Sequence, residues 1–355
     1  YRQHLTYTGR PFSDVRHHEE ISDTVMYLSP VLYSTTHPFV WNRLTVLAYH
    51  RIADVHDPAF ETFRPNVSAT PADFARQMEF VARHFNIVSV DDVVAFIRDG
   101  RRLPHHALLV TFDDGYLDNY EQAFPVLNRM GIPAVFFLTT GFLDRQVSFY
   151  WDMVAYCFHH TRLTHADLPL LGWREWTTDD EKDFVLEDWF SVIKSLPEHE
   201  KQACAARVPD MLEVNFPKDA LANLPMTWDQ VREMARAGMT FGGHTVNHPI
   251  LTRIPLEEAQ NEIIESRRRV EQETGADATV FAYTNGLRSD FNADLQRFLT
   301  EQGFQAAFTL MTGPAYPREV LAEPMAIRRI FLGWHDTFHR FRVKLTPVPR
   351  MLGQN

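Results

Sequence analysis

Cysteine is nearly absent from this 355-residue chain: Cys157 and Cys204 allow at most one disulfide, and neither sits in a Cys-x-x-Cys or similar metal-binding spacing. Both read as core thiols. Basic charge is also short, with 35 Lys and Arg against 46 Asp and Glu and a formal net charge of -11. No cationic excess is left to neutralise phosphates, which argues against a nucleic-acid partner. Long apolar runs are missing too, so no transmembrane segment of roughly 18 residues is expected. No charged segment followed by an apolar one is visible after Tyr1, so no signal peptide is read. The compartment stays open, with the cytoplasm favoured by that missing signal, and the oligomeric state is not legible. There is no internal repeat and no low-complexity tract. What remains is an ordinary globular composition, 45% hydrophobic and 23% charged, enough for one large α/β domain with insertions or two ordinary ones.

Against that background one stretch stands out: Leu-Leu-Val-Thr-Phe-Asp-Asp-Gly-Tyr at 108–116. An apolar run ending in two carboxylates and a glycine predicts a buried strand that delivers Asp113 and Asp114 to its C-terminal end, where α/β sheets and barrels place their chemistry. Two adjacent ionised carboxylates repel, and beside an apolar strand they need a cation between them or a proton on one. The plain alternative is a pair of solvated loop aspartates, one of them capping a helix. A second stretch, Met-Thr-Phe-Gly-Gly-His-Thr-Val-Asn-His-Pro at 239–249, has the same build of short strand, glycines and metal-binding side chains. His244 and His248 are four apart and would share one face if the segment turned helically after the strand. With Asp114 they make a His, His, Asp set of the kind that holds a catalytic divalent ion. A third feature, His50, ends an apolar strand at 45–49 and reaches the same level if the strands are parallel; a histidine satisfied by backbone carbonyls at a sheet rim reads equally well.

Taken in order, strands are expected at 45–49, 87–90, 108–112, 134–139, 239–243, 279–283, 304–310 and 326–331. Helices are expected between them. Thr70-Pro71 opens one with Phe74, Met78, Val81 and Phe85 on its inner face; others fall at 91–100, 117–130, 227–238, 255–274 and 290–302. The alternation lapses from 141 to 226, read as a helical insertion containing Trp151, Trp173, Trp176 and Trp189, tryptophans that either stack on sugars or build a small core, the core being preferred. Residues 1–43 read as an N-terminal arm packed on the domain, 44–345 as the domain itself, and 346–355 as a C-terminal tail. The fold class is α/β, a distorted parallel (β/α) barrel of seven to eight strands.

Four segments, Thr-Phe-Asp-Asp-Gly-Tyr at 111–116, His-Thr-Val-Asn-His-Pro at 244–249, Phe-Ala-Tyr-Thr-Asn-Gly at 281–286 and Tyr-His-Arg-Ile at 49–52, resemble those of the polysaccharide deacetylases, carbohydrate esterase family 4. The resemblance covers residues 44 to about 308, outside much of the insertion. It implies metal-dependent removal of an N-acetyl group from an amino sugar in a polysaccharide, cell-wall glycan or lipid-linked precursor, with zinc or another divalent transition metal as cofactor and an amino-sugar oligo- or polysaccharide as partner. By motif position it implies Asp113 as general base, Asp114, His244 and His248 as metal ligands, and the backbone amide of Asn285 as oxyanion donor. The general acid is implied as His50, with His335 of Leu-Gly-Trp-His at 332–335 as the alternative. The third segment lacks the family's base-orienting arginine and has Thr284 where proline is usual; Arg328 or Arg329 from the last strand could take the arginine's place. Two other readings stay open: hydrolysis of a different C–N amide, as in a formamido sugar or a cyclic ureide, and a catalytically idle glycan-binding subunit.

Overall fold

The computed structural model describes residues 43–351. The expected N-terminal arm at 1–43 lies outside them apart from Arg43, and the expected tail at 346–355 is described only as far as 351, including a short helix Val348–Met351. Seven parallel strands form a closed barrel: β1 Leu44–Tyr49, β2 Ala107–Phe112, β3 Ala134–Leu138, β4 Thr240–Gly243, β5 Val280–Ala282, β6 Ala306–Thr312 and β7 Ile327–Phe331. Each pairs with its sequence neighbour, and β1 closes the ring by pairing with both β2 and β7. The β1–β2 seam is the longest, running from Leu44 opposite Ala107 to Tyr49 opposite Phe112. An eighth strand, Asn86–Ile87, pairs with the start of β2. It is shorter than the expected 87–90 because Ser89 caps the helix that begins at Val90, its side chain accepting from the Asp92 amide.

Side-chain alternation sorts the barrel into an inside and an outside. Val46, Leu109, Val135, Phe137, Ala282 and Phe308 pack together as one buried cluster in the lumen. Leu47, Leu108, Val110, Phe112 and Phe136 belong to another, beneath the surrounding helices. The lumen is thus a filled core. Extending the inward parity past the strand ends brings His50, Asp113, His244, Thr284 and Arg329 to the top of the same lumen.

The helices expected to open at Thr70 and Thr227 do so, each hydroxyl accepting an amide hydrogen three residues on; Ser89 does the same where a strand was expected. The segment expected as one helix over 117–130 divides, with a wider π-type turn at Asn119–Ala123 preceding the helix Phe124–Met130. Pro125 explains the division, since it lacks an N–H and its ring would clash with the carbonyl four residues back in a regular α-helix. The insertion holds helices Tyr150–His160, Asp179–Ile193 and Glu198–Ala206, and it also contains an antiparallel hairpin, His165–Leu168 with Gly172–Glu175, where only helix was expected. Trp176 and Trp189 are buried in its core, Trp173 is exposed, and Trp151 faces the barrel mouth. Cys157 is buried and Cys204 half-buried, both as free thiols. No helix among the described residues is long and apolar enough to cross a membrane.

Candidate active site

Three strand ends meet at the mouth of the barrel, each finished by left-handed backbone. Asp114 (φ 75) and Gly115 (φ 90) follow β2, Thr245 (φ 67) and His248 (φ 59) follow β4, and Asn285 (φ 59) and Gly286 (φ 64) follow β5. For non-glycine residues such φ values cost free energy and persist only where the surroundings impose them. His244 and His248 therefore converge by two left-handed kinks, not by the helical turn that their spacing suggested. Their Nε2 atoms lie 3.5 and 3.3 Å from Asp114 Oδ1. One ligand atom from each of the three residues lies within 4.8 Å of the others. The double glycine of β4 has a packing reason, because a Cβ on Gly242 would stand 2.6 Å from the Val280 carbonyl oxygen.

Both Asp114 carboxylate oxygens are buried without a hydrogen-bond partner, and burial raises the pKa of this carboxyl. A buried carboxylate left unpaired is costly, so the arrangement has a place for a cation. The histidines suit one. Burial pushes His244 down, and burial helped by the Lys201 ammonium pushes His248 to about 4, so both imidazoles are neutral at neutral pH. His244 Nδ1 lies 2.8 Å from the Ala282 carbonyl, which sets the tautomer that leaves the Nε2 lone pair facing Asp114. One carboxylate and two neutral imidazoles fit a divalent transition metal.

Asp113 has the opposite environment. Burial alone would raise its pKa, but the Arg329 guanidinium, with His244 and His50, holds it at about 2. Arg329 is fully buried and donates from Nη1 and Nη2 to the two Asp113 oxygens at 2.7 Å each, while its Nε donates to the Thr309 carbonyl. The neighbouring Arg328 donates instead to the Thr312 carbonyl. His50 Nε2 stands 3.9 Å from Asp113 Oδ2. The His50 amide donates to Ser68 Oγ, its carbonyl accepts from the Asn119 side chain, and its Nδ1 is buried without a partner. Burial lowers the pKa of His50. His335 is exposed, its ring 3.5 Å from that of Trp334, and it does not line the cleft.

A cleft of about 560 Å³ opens above these groups, lined by His50, Asp114, His248 and Asn285 on the barrel side and by Tyr150 and Trp151 on the insertion side. The Asn285 side chain donates to Asp290, and its backbone N–H finds no acceptor among the described residues. The Thr284 hydroxyl donates to the Pro249 carbonyl, tying the β5 loop to the one that carries His248.

Supporting residues that sequence reasoning missed come from outside the motifs. Glu262, on helix Leu256–Thr274, accepts the amides of Val246 and Asn247 at 2.7 and 2.8 Å and the Asn247 side chain at 2.6 Å, pinning the loop between the histidines. A carboxylate in register with the inward residues Ala259 and Ile263 was its only signal in the sequence. Tyr116 and Asp152 join the insertion to the barrel. The Tyr116 hydroxyl donates to Asp152 Oδ2 at 2.7 Å and accepts from Trp151 Nε1 at 2.9 Å, and the Trp151 ring packs edge-on to His248 with centroids 4.9 Å apart.

Comparison with known proteins agrees with this geometry. The polysaccharide deacetylase family matches residues 100–307. YxkH of Bacillus subtilis (strain 168) is 18% identical over 274 residues, 77% of this chain and 66% of that protein. The poly-beta-1,6-N-acetyl-D-glucosamine N-deacetylase of Escherichia coli (strain K12) is 30% identical over 122 residues, 33% of this chain. The chain thus spans less than two thirds of the first of these relatives and 17% of the second. The solved structure of Streptococcus pyogenes deacetylase PplD in complex with acetate superposes with a TM-score of 0.57 over 86% of this chain and 99% of that one, at 15% identity, a likeness of fold.

Proposed function

Since this chain belongs to the polysaccharide deacetylase family, hydrolases of non-peptide C–N bonds, we propose that it is a metal-dependent N-deacetylase that removes acetyl groups from N-acetylated amino sugars of a polysaccharide. The observation that carries the reading is the division of labour between adjacent aspartates: Asp114 is orphaned beside two neutral histidines, and Asp113 is held ionised by Arg329.

Asp114, His244 and His248 would hold a divalent ion, which when bound polarises an amide carbonyl and acidifies water. The remaining work falls to the chain's own groups. Water adds to the acetamide carbonyl carbon, and Asp113 accepts the proton that the water loses. Arg329 keeps that carboxylate charged and aimed. The Asn285 N–H donates to the oxygen on which negative charge develops. As the C–N bond breaks, His50 takes over the proton that Asp113 has gained and delivers it to the departing amine, so acetate and a free amino sugar are the products. What supports His50 over His335 is its place in the cleft, 3.9 Å from Asp113.

Elemental analysis and acetate release on N-acetylglucosamine oligomers test the reading together. Wild type is expected to carry about one divalent ion per chain and His244→Ala none. Asp113→Asn is expected to keep the ion and lose acetate release by at least about 100-fold. Wild type that takes up no metal on reloading, or a fully active Asp113→Asn, would overturn it.

A further inference from the structure

The insertion helix Asp179–Ile193 lies along the cleft, and contacts along its length fix its direction. Asp183 near its start pairs with Arg64, Phe190 packs on Phe63 with ring centroids 4.5 Å apart, and just past its end the Ser195 carbonyl accepts from Arg253. Its buried face, Val185, Leu186, Trp189 and Ile193, belongs to the core of the insertion. The cleft face carries Glu187, Ser191 and Lys194, which at spacings of four and three form a single stripe. Lys194 makes no ion pair among the described residues. Phe184 comes three residues before Glu187, on the same stripe, and does not itself line the cleft. It is 69% exposed. An aromatic ring on the solvent side of an amphipathic helix, next in line to a polar cleft wall, presents a flat apolar surface to solvent.

We infer that this stripe is a binding rail for an extended glycan. On the deacetylase reading above, from which this one follows, the acetamido sugar sits at the barrel mouth while neighbouring units run along the helix. Lys194, Ser191 and Glu187 hydrogen-bond sugar hydroxyls, and Phe184 stacks on the apolar face of a pyranose ring. From 184 to 194 the rail covers ten residue steps, about 15 Å along the helix axis. A rail of that length spans several sugars, so binding strengthens with chain length beyond the unit at the barrel mouth.

The test is a length series of N-acetylglucosamine oligomers, disaccharide to hexasaccharide, assayed by acetate release with metal-loaded wild type, Phe184→Ala and Phe184→Trp. Loss of uniform binding remote from the reacting bond raises KM with kcat unchanged. Phe184→Ala is expected to raise KM for the hexasaccharide roughly fivefold, the scale of one aromatic contact, and to leave the disaccharide unchanged. Phe184→Trp is expected to keep wild-type KM, and titration with hexasaccharide but not disaccharide changes the fluorescence of its new indole relative to wild type. An equal effect of Phe184→Ala at all lengths, no effect at any length, or a new indole blind to the hexasaccharide overturns the rail. If wild type releases acetate from no oligomer, the deacetylase reading fails by itself, and the fluorescence titration still decides the rail.

Discussion

Arg329 directs its whole guanidinium at the site. It is 0% exposed, forks onto Asp113, and reaches Thr111 Oγ1 and the Thr309 carbonyl with two further donors. Removing one partner of such a pair leaves a buried charge uncompensated, at a cost of about 3–5 kcal/mol. Arg329→Met is therefore expected to lower thermal stability by that order and, by letting the Asp113 pKa rise, to cut kcat for acetate release by about 100-fold at neutral pH. Arg329→Lys keeps the charge without the fork and should fall between Met and wild type in both measurements. A Met variant with wild-type kcat would show that Asp113 needs no help to stay ionised. Sequence reasoning could offer Arg328 and Arg329 only as a pair, because alternation along β7 says that one points in without saying which. The closed barrel decides it, since 329 shares the parity of Ile327 in the lumen.

The loop from His244 to His248 shows what an element adds to its residues. Neither histidine is placed by helical periodicity; the loop is bent by left-handed Thr245 and His248 and clamped from outside by Glu262. Groups that orient a ligand-bearing loop typically govern affinity by about 10- to 100-fold when changed. Glu262→Gln loses the charge that draws two amides onto one oxygen, and a competitive chelator titration is expected to show metal affinity weakened by that factor. Circular dichroism should show the helix content retained. Unchanged affinity would mean that Thr245, whose hydroxyl accepts from the His248 amide at 2.9 Å, holds the loop by itself.

At the scale of the whole molecule, the insertion and the barrel are joined through Asp152. This carboxyl is 0% exposed, accepts from the Phe63 amide and the Tyr116 hydroxyl, and is raised by burial to about 6 from an ordinary 3.8. The sign follows from linkage. Below pH 4 the group is protonated folded or unfolded, and above pH 6 it is ionised in both, so the burial cost builds up as pH rises between them and is borne in full above pH 6. Wild type is expected to lose up to about 3 kcal/mol of stability relative to Asp152→Asn across that window. Denaturant unfolding at pH 4, 5 and 6 measures it, and parallel curves for the two proteins would contradict the buried-carboxyl account.

The seven barrel strands, the caps at Thr70 and Thr227, the parallel order and the gathering of His50, Asp113, Asp114, His244 and His248 at strand ends were legible in the chain, because each depends on local chemistry. An apolar run that stops at charged residues is a strand end wherever it occurs, and Thr70 and Thr227 cap helices through contacts three residues long. Tertiary structure alone decided matters that depend on groups distant in sequence. Ring closure chose Arg329 over Arg328 for Asp113, 216 positions away. The path of the chain set His50 in the cleft and His335 outside it. The hairpin in the insertion, and the use of Trp151 as a wall against His248 while Trp176 and Trp189 fill a core, depend on which surfaces meet once the insertion folds back over the barrel. Local chemistry determines what each residue can do; packing determines which neighbours it does it with.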